Sequence, residues 1–160
     1  MTSATIAASV VDRNNRQAQQ VSITAGTSTG FQNLFSAFTA AINAGASTFA
    51  VGDTVQAFAE IEIDSATALT GLRDLTMELA HTGGSVTPYQ MFKKANADTY
   101  DTVTIPAGRK ILIATPISVV TSGTTAVRPF LYAYATNNAA AASGKFWITK
   151  FAVVNWSKSN

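Results

Sequence analysis

The 160 residues contain no cysteine, so the length bounds a single domain whose core must hold without disulfides. Only 12% of the side chains are charged, about half the usual quarter, while 28 Ala, 22 Thr and 13 Ser cover the chain with small neutral groups. Eleven Lys and Arg against nine Asp and Glu leave +2, too weak a field for nucleic acid or an anionic membrane to be the expected partner, and no apolar run reaches the roughly 18 residues that would span a bilayer.

Residues 1 to 20 open on the apolar run Ala4 to Val11, which lacks the basic flank and cleavage site of a secretion signal. They end in the polar stretch Asp12 to Gln20, whose lack of apolar period leaves it unable to order itself. We expect residues 1 to 20 to be an arm or lead-in strand docked on a neighbouring subunit, with the domain proper over residues 21 to 160. Phe31 to Ile42 stays open between helix and strand, because Phe35, Phe38 and Ile42 have helical spacing within a composition that also suits a strand.

From Asp53 the chain alternates: Val55, Ala57, Ala59, Ile61 and Ile63 fall on one side, Gln56, Phe58, Glu60 and Glu62 on the other. Leu72 to Ala80 reads by preference as a second strand, with Leu75, Met77 and Leu79 opposite Asp74, Thr76 and Glu78, although Leu69, Leu72, Leu75 and Leu79 would also make a helical stripe ending at Gly83. Ile111 to Val120 is β-branched and apolar, and Val127 to Ala135 puts Phe130, Tyr132 and Tyr134 on one face and Leu131, Ala133 and Ala135 on the other. Three large rings on one face are expected to turn inward, since outside they would expose an apolar patch. In the closing run Lys145 to Val154, Phe146 and Ile148 share one phase, Phe151 and Val153 the other. A one-residue bulge near Thr149 and Lys150 reconciles them. Short strands separated by Gly-, Pro-, Ser- and Thr-rich spacers, with no strand–helix alternation, define an all-β protein, an antiparallel β-sandwich.

The run Ala50 to Ile63, followed by Ala68 to Leu72 and a strand ending in the Gly83-Gly84 turn, resembles jelly-roll domains of the carbohydrate-binding-module or galactose-binding-like type found in phage tail-fibre and other virion proteins. Ile105 to Gly108 with Thr115-Pro116, and the closing run Ala142 to Val154, fit the same template, so the resemblance covers residues 31 to 155. It implies jelly-roll topology. Members that bind sugar or calcium often carry an Asp in the closing strand where this chain has Thr149, so no such ligand set carries over.

Few groups offer chemistry. His81 is the only histidine and no cysteine exists, so a transition-metal site lacks ligands; the residue is expected as a polar group leaving a strand into a turn. Glu60 and Glu62 stand about 7 Å apart on one strand face, and Glu78 would join them if the two strands paired. Such a carboxylate cluster could hydrolyse a glycoside or hold Ca²⁺, and a solvated face is the blander reading. No nucleophile elbow or phosphate loop is present, so no catalytic residue, cofactor or metal is expected.

Exposed rings that stack on sugars are sought among Phe58, Tyr89 and Tyr100, with Glu60 and Glu62 beside Phe58 as candidate ligand-binding residues. Small neutral side chains and few charges favour assembly. The expected function is therefore a non-enzymatic structural protein of a phage particle, a capsid decoration or cement subunit on the particle surface. It would associate with itself as a homo-oligomer, a trimer by preference, and with the major capsid or tail protein. The alternative is a tail-associated receptor-binding or carbohydrate-binding module whose partner is a cell-surface glycan. Neither reading involves nucleic acid or membrane insertion.

Overall fold

The computed structural model describes residues 5–13, 15–24, 32–38, 40–84, 88–92, 103–135 and 142–158. Twelve strands run in chain order: β1 Thr5–Arg13, β2 Arg16–Thr24, β3 Gln32–Phe38, β4 Ile42–Asn43, β5 Thr54–Ile63, β6 Leu69–Thr82, β7 Tyr89–Phe92, β8 Val103–Ile105, β9 Lys110–Ala114, β10 Ser118–Val119, β11 Ala126–Ala135 and β12 Gly144–Asn155. The first sheet has the order β1-β2-β12-β5-β10, with β9 also paired to β5. The second runs β3-β11-β6-β7, with β4 on β11 and β8 on β6. The open segment Phe31 to Ile42 contributes strands β3 and β4, each paired with β11.

The core lies between the sheets and follows the alternation of β5 and β6. Val55, Ala57, Ala59, Ile61 and Ile63 face Leu75, Met77 and Leu79, each 0 to 1% exposed. Burying each of the larger aliphatic side chains contributes about 1.5–3 kcal/mol. Because β5 and β6 belong to different sheets, they present their polar sides to opposite faces of the sandwich. Glu60 and Glu62 therefore do not join Glu78.

In β12 the register against β5 shifts between Ile148 and Lys150, the bulge expected from the phase change. Phe146 lies opposite Ile63 and Ile148 opposite Ile61; beyond the bulge Phe151 lies opposite Ala59 and Val153 opposite Ala57, so all four reach the core side. The run Ile111 to Val120 is broken into β9 and β10 at Pro116, which has no N–H to donate. Thr115 holds the break closed, its N–H donating to Ala57 O at 2.9 Å and its Oγ1 accepting from Ala57 N at 3.1 Å.

Two expectations change. The division at residue 20 falls inside β2, and residues 5 to 13 and 16 to 24 form a hairpin of the first sheet rather than an appended arm. Among the described residues the hydrophobic core cluster starts at Val21, and β1 stays at the sheet edge with Ala7 to Val10 exposed. Phe130 and Tyr132 do not turn inward: Val127, Leu131 and Ala133 are fully buried in the core, and the two rings are half-buried on the outer face of the second sheet. The side chain of Tyr134 lies outside the described ones. His81 stands where expected, one residue before the end of β6 and the Gly83-Gly84 turn, and it is 5% exposed, opposite Val127 on the core side.

Candidate functional site

The outer face of the first sheet carries three of the five residues singled out for ligand binding. Phe58, Glu60 and Glu62 follow one another on the outer side of β5. All three are already engaged. The Lys150 ammonium lies 5.3 Å from the Phe58 ring centroid, and Thr149, at the bulge, donates its hydroxyl to Glu60 Oε1 at 3.0 Å. Glu62 accepts from Arg13 Nε at 2.6 Å and pairs with Lys110 Nζ at 2.7 Å. The hydrogen bonds from Lys110 and Arg13 hold its carboxyl below the usual range, and Glu62 in turn pushes the Lys110 ammonium up. A cleft of about 280 Å³ opens here, lined by Arg13, Arg16, Glu60, Glu62, Lys110 and Thr149. Its carboxylates are spent on internal pairs, and among the described residues no group of three or more His, Cys, Asp or Glu could hold a metal ion.

The second sheet presents a different outer face. On β11, Phe130 and Tyr132 hold their rings parallel within 6°, centroids 5.7 Å apart, and the Arg128 guanidinium carbon lies 6.0 Å from the Phe130 centroid. On β6, paired beside them, Glu78 is the register partner of Phe130 and Thr76 that of Tyr132. Directly paired residues of adjacent antiparallel strands stand about 4.5–5.5 Å apart at Cβ, so a carboxylate and a hydroxyl border the two rings. Burial pushes the Glu78 carboxyl up. Asp74 and Thr76 point away from the core yet are 1% and 5% exposed, with Thr76 Oγ1 donating to Asp74 Oδ1 at 2.8 Å.

Tyr89, the fourth candidate, occupies the β7 position paired with Glu78, so one row across the sheet reads Phe38, Phe130, Glu78, Tyr89. Tyr100 lies outside the described residues. Phe130, Tyr132 and Glu78 were not among the candidates because their phase had been assigned to the core or to a cluster with Glu60. The signal that separates the phases is Arg128, which shares the side of Phe130 and Tyr132 and keeps that side in reach of water.

No family model and no curated protein sequence matches the chain. Among solved structures it resembles a family 4 carbohydrate-binding module (CBM4), with a TM-score of 0.50 and 11% identity over 96% of this chain and 79% of that one. It also resembles the N-terminal CBM22-1–CBM22-2 tandem domain of Paenibacillus barcinonensis Xyn10C, with a TM-score of 0.50 and 14% identity over 96% of this chain and 45% of that one. At these identities the likeness is one of fold. The chain has the jelly-roll β-sandwich of carbohydrate-binding modules.

Proposed function

We propose that the domain is a non-catalytic glycan-binding module whose ligand lies on the outer face of the second sheet. The observation that carries this reading is the parallel Phe130–Tyr132 pair, half-exposed on a rigid strand and bordered by Glu78 and Arg128. Sugar rings offer an apolar C–H face to an aromatic ring and hydroxyls at the rim. Phe130 and Tyr132 supply the first contact, Glu78 accepts from hydroxyls and Arg128 donates to them. The non-catalytic part of the reading rests on the same geometry: Glu60 and Glu62 are held in internal bonds, and the single histidine is enclosed between the sheets. Glycan-array binding by the purified chain tests the proposal; binding to no carbohydrate on a broad array would remove it.

A second reading is a self-associating structural subunit of a virus particle, and a separate observation supports its self-association. Among the described residues, large apolar side chains stay in water at both edges of the first sheet: Val10 is 69% exposed on β1, Leu112 68% on β9 and Val119 52% on β10. Capsid surface and tail are both settings for such a subunit. Immunogold labelling of intact particles, followed by peptide mapping of the labelled component, tests this reading. The two are compatible, since a particle subunit can also bind glycan.

A further inference from the structure

Among the described residues β1 is an edge strand of the first sheet, and over Thr5 to Val11 it has none of the devices that keep edges apart. Its register against β2 is unbroken over nine pairs, Thr5 with Thr24 through Arg13 with Arg16, so no bulge twists it away. Thr5 to Val11 contains no charge, no proline and no glycine, and Ala7, Ala8, Ser9 and Val10 are all exposed. Natural edges are normally short, charged, bulged or covered; a long, flat, apolar one is a template for another strand. Arg13 and Arg16 close a two-residue connection in which Asn15 takes φ 61°. The alternation of an antiparallel ladder then leaves the N–H and C=O of Ile6, Ala8, Val10 and Asp12 pointing away from β2.

We infer that this edge pairs with β1 of a second copy of the chain, antiparallel and centred on Ser9, joining two first sheets into one continuous sheet across a two-fold axis. The inference rests on the self-association reading and gives it a surface. Ser9 is the midpoint of Thr5–Arg13, so this register alone pairs the whole strand with itself. The only charges, Asp12 and Arg13, then fall opposite Ile6 and Thr5 of the second copy. A parallel in-register pair would instead set Asp12 beside Asp12 and Arg13 beside Arg13, and like charges directly opposite are destabilising. Val10 comes to lie opposite the small Ala8 of the second copy, on the side where the second sheet leaves it uncovered. The freed N–H and C=O groups match across the axis, giving about eight backbone hydrogen bonds. Because the contact is isologous, it closes at two copies.

The chain has no cysteine, so Ser9→Cys introduces its only thiol. At the centre of the pair, a non-hydrogen-bonded position, the two Cα atoms would stand about 4.5 Å apart, within the range a disulfide spans. We expect Ser9→Cys to form a disulfide-linked dimer under mild oxidation, and Ala7→Cys, about 13 Å from its counterpart by strand rise, to form none. In sedimentation velocity the unmodified chain should be a dimer that dissociates on dilution. Val10→Lys should weaken it by about tenfold or more, while Leu112→Lys on the opposite edge leaves it intact. Val10 is already in water, so circular dichroism should show Val10→Lys folded. A monomer at every concentration would remove the self-association reading and this inference together. An oligomer that Leu112→Lys disperses and Val10→Lys does not, or a ring trimer, would leave the reading standing and overturn the pairing through β1.

Discussion

The Arg13 guanidinium carbon lies 3.7 Å from the centroid of the Trp147 ring, tying the edge strand β1 across β2 to β12. The same side chain donates to Glu62 on β5, so one long residue spans the outer side of the sheet. Its stem covers apolar surface while its charge serves a carboxylate that is 5% exposed.

Arg13→Ala should therefore cost about 1–2 kcal/mol at neutral pH, from the lost ring contact and the weakened charge-assisted bond. Glu62 has its folded pKa lowered by Lys110 and Arg13, so its stabilisation is present above the unfolded value and is lost as pH falls through the folded one. The Arg13→Ala penalty should shrink in acid. Urea unfolding at pH 7 and pH 3 checks this; an equal penalty at both would assign the effect to ring packing alone.

His81 predicts a pH dependence from the other side of the sheet. Its Nε2 lies 3.2 Å from Ser118 Oγ, its Nδ1 is buried with no hydrogen-bond partner, and burial lowers its pKa. A base with a depressed folded pKa binds more protons when unfolded, so stability is full above the ordinary histidine value, about 6.5, and falls as pH drops below it. Thermal midpoints should decline between pH 7.5 and pH 5.5, and His81→Leu should flatten that slope. A slope unchanged in His81→Leu would place its origin in another group.

The bulge in β12 is tested by two changes at one position. Thr149→Ala removes a hydroxyl that bonds Glu60 and should cost about 1 kcal/mol. Deleting Thr149 removes the extra residue itself, so Phe146, Ile148, Phe151 and Val153 fall into one unbroken alternation and keep one face and their partners on β5 without a bulge. We expect both the substitution and the deletion to preserve cooperative unfolding, read by tryptophan fluorescence in denaturant, and loss of cooperativity on deletion would show that the bulged geometry itself is required.

Much of the architecture was legible because period and phase agreed. Val55, Ala57, Ala59, Ile61 and Ile63 share one side of their strand, and the phase slip at Thr149 located a bulge that the structure contains. Other features turned on information that alternation does not carry. It fixes which residues of β11 share a side but not which side is inner, and bulk argued for Phe130 and Tyr132 where the charge of Arg128 argued against. Glu60 and Glu78 were brought together by assuming that neighbouring strands pair, whereas the chain crosses between sheets after β5. Asp12 to Gln20 looked unable to order itself because its register partners, on β1 and β12, lie far along the chain or share its weak pattern. Of the candidate ligand-binding residues, Tyr89 alone falls in the row that contains Phe130 and Glu78.

The central claim is that the Phe130–Tyr132 face holds carbohydrate, and calorimetric titration of the best glycan-array ligand into matched variants tests it most directly. Because both rings are half-exposed, Phe130→Ala should cost only about 1–2 kcal/mol of stability. It should weaken glycan binding by about tenfold or more, as Tyr132→Ala should, in keeping with the loss of an aromatic anchor. Phe58→Ala, on the opposite face, should bind like the unmodified chain. If Phe58→Ala abolishes binding while Phe130→Ala and Tyr132→Ala bind normally, the ligand lies on the first sheet and the account is wrong.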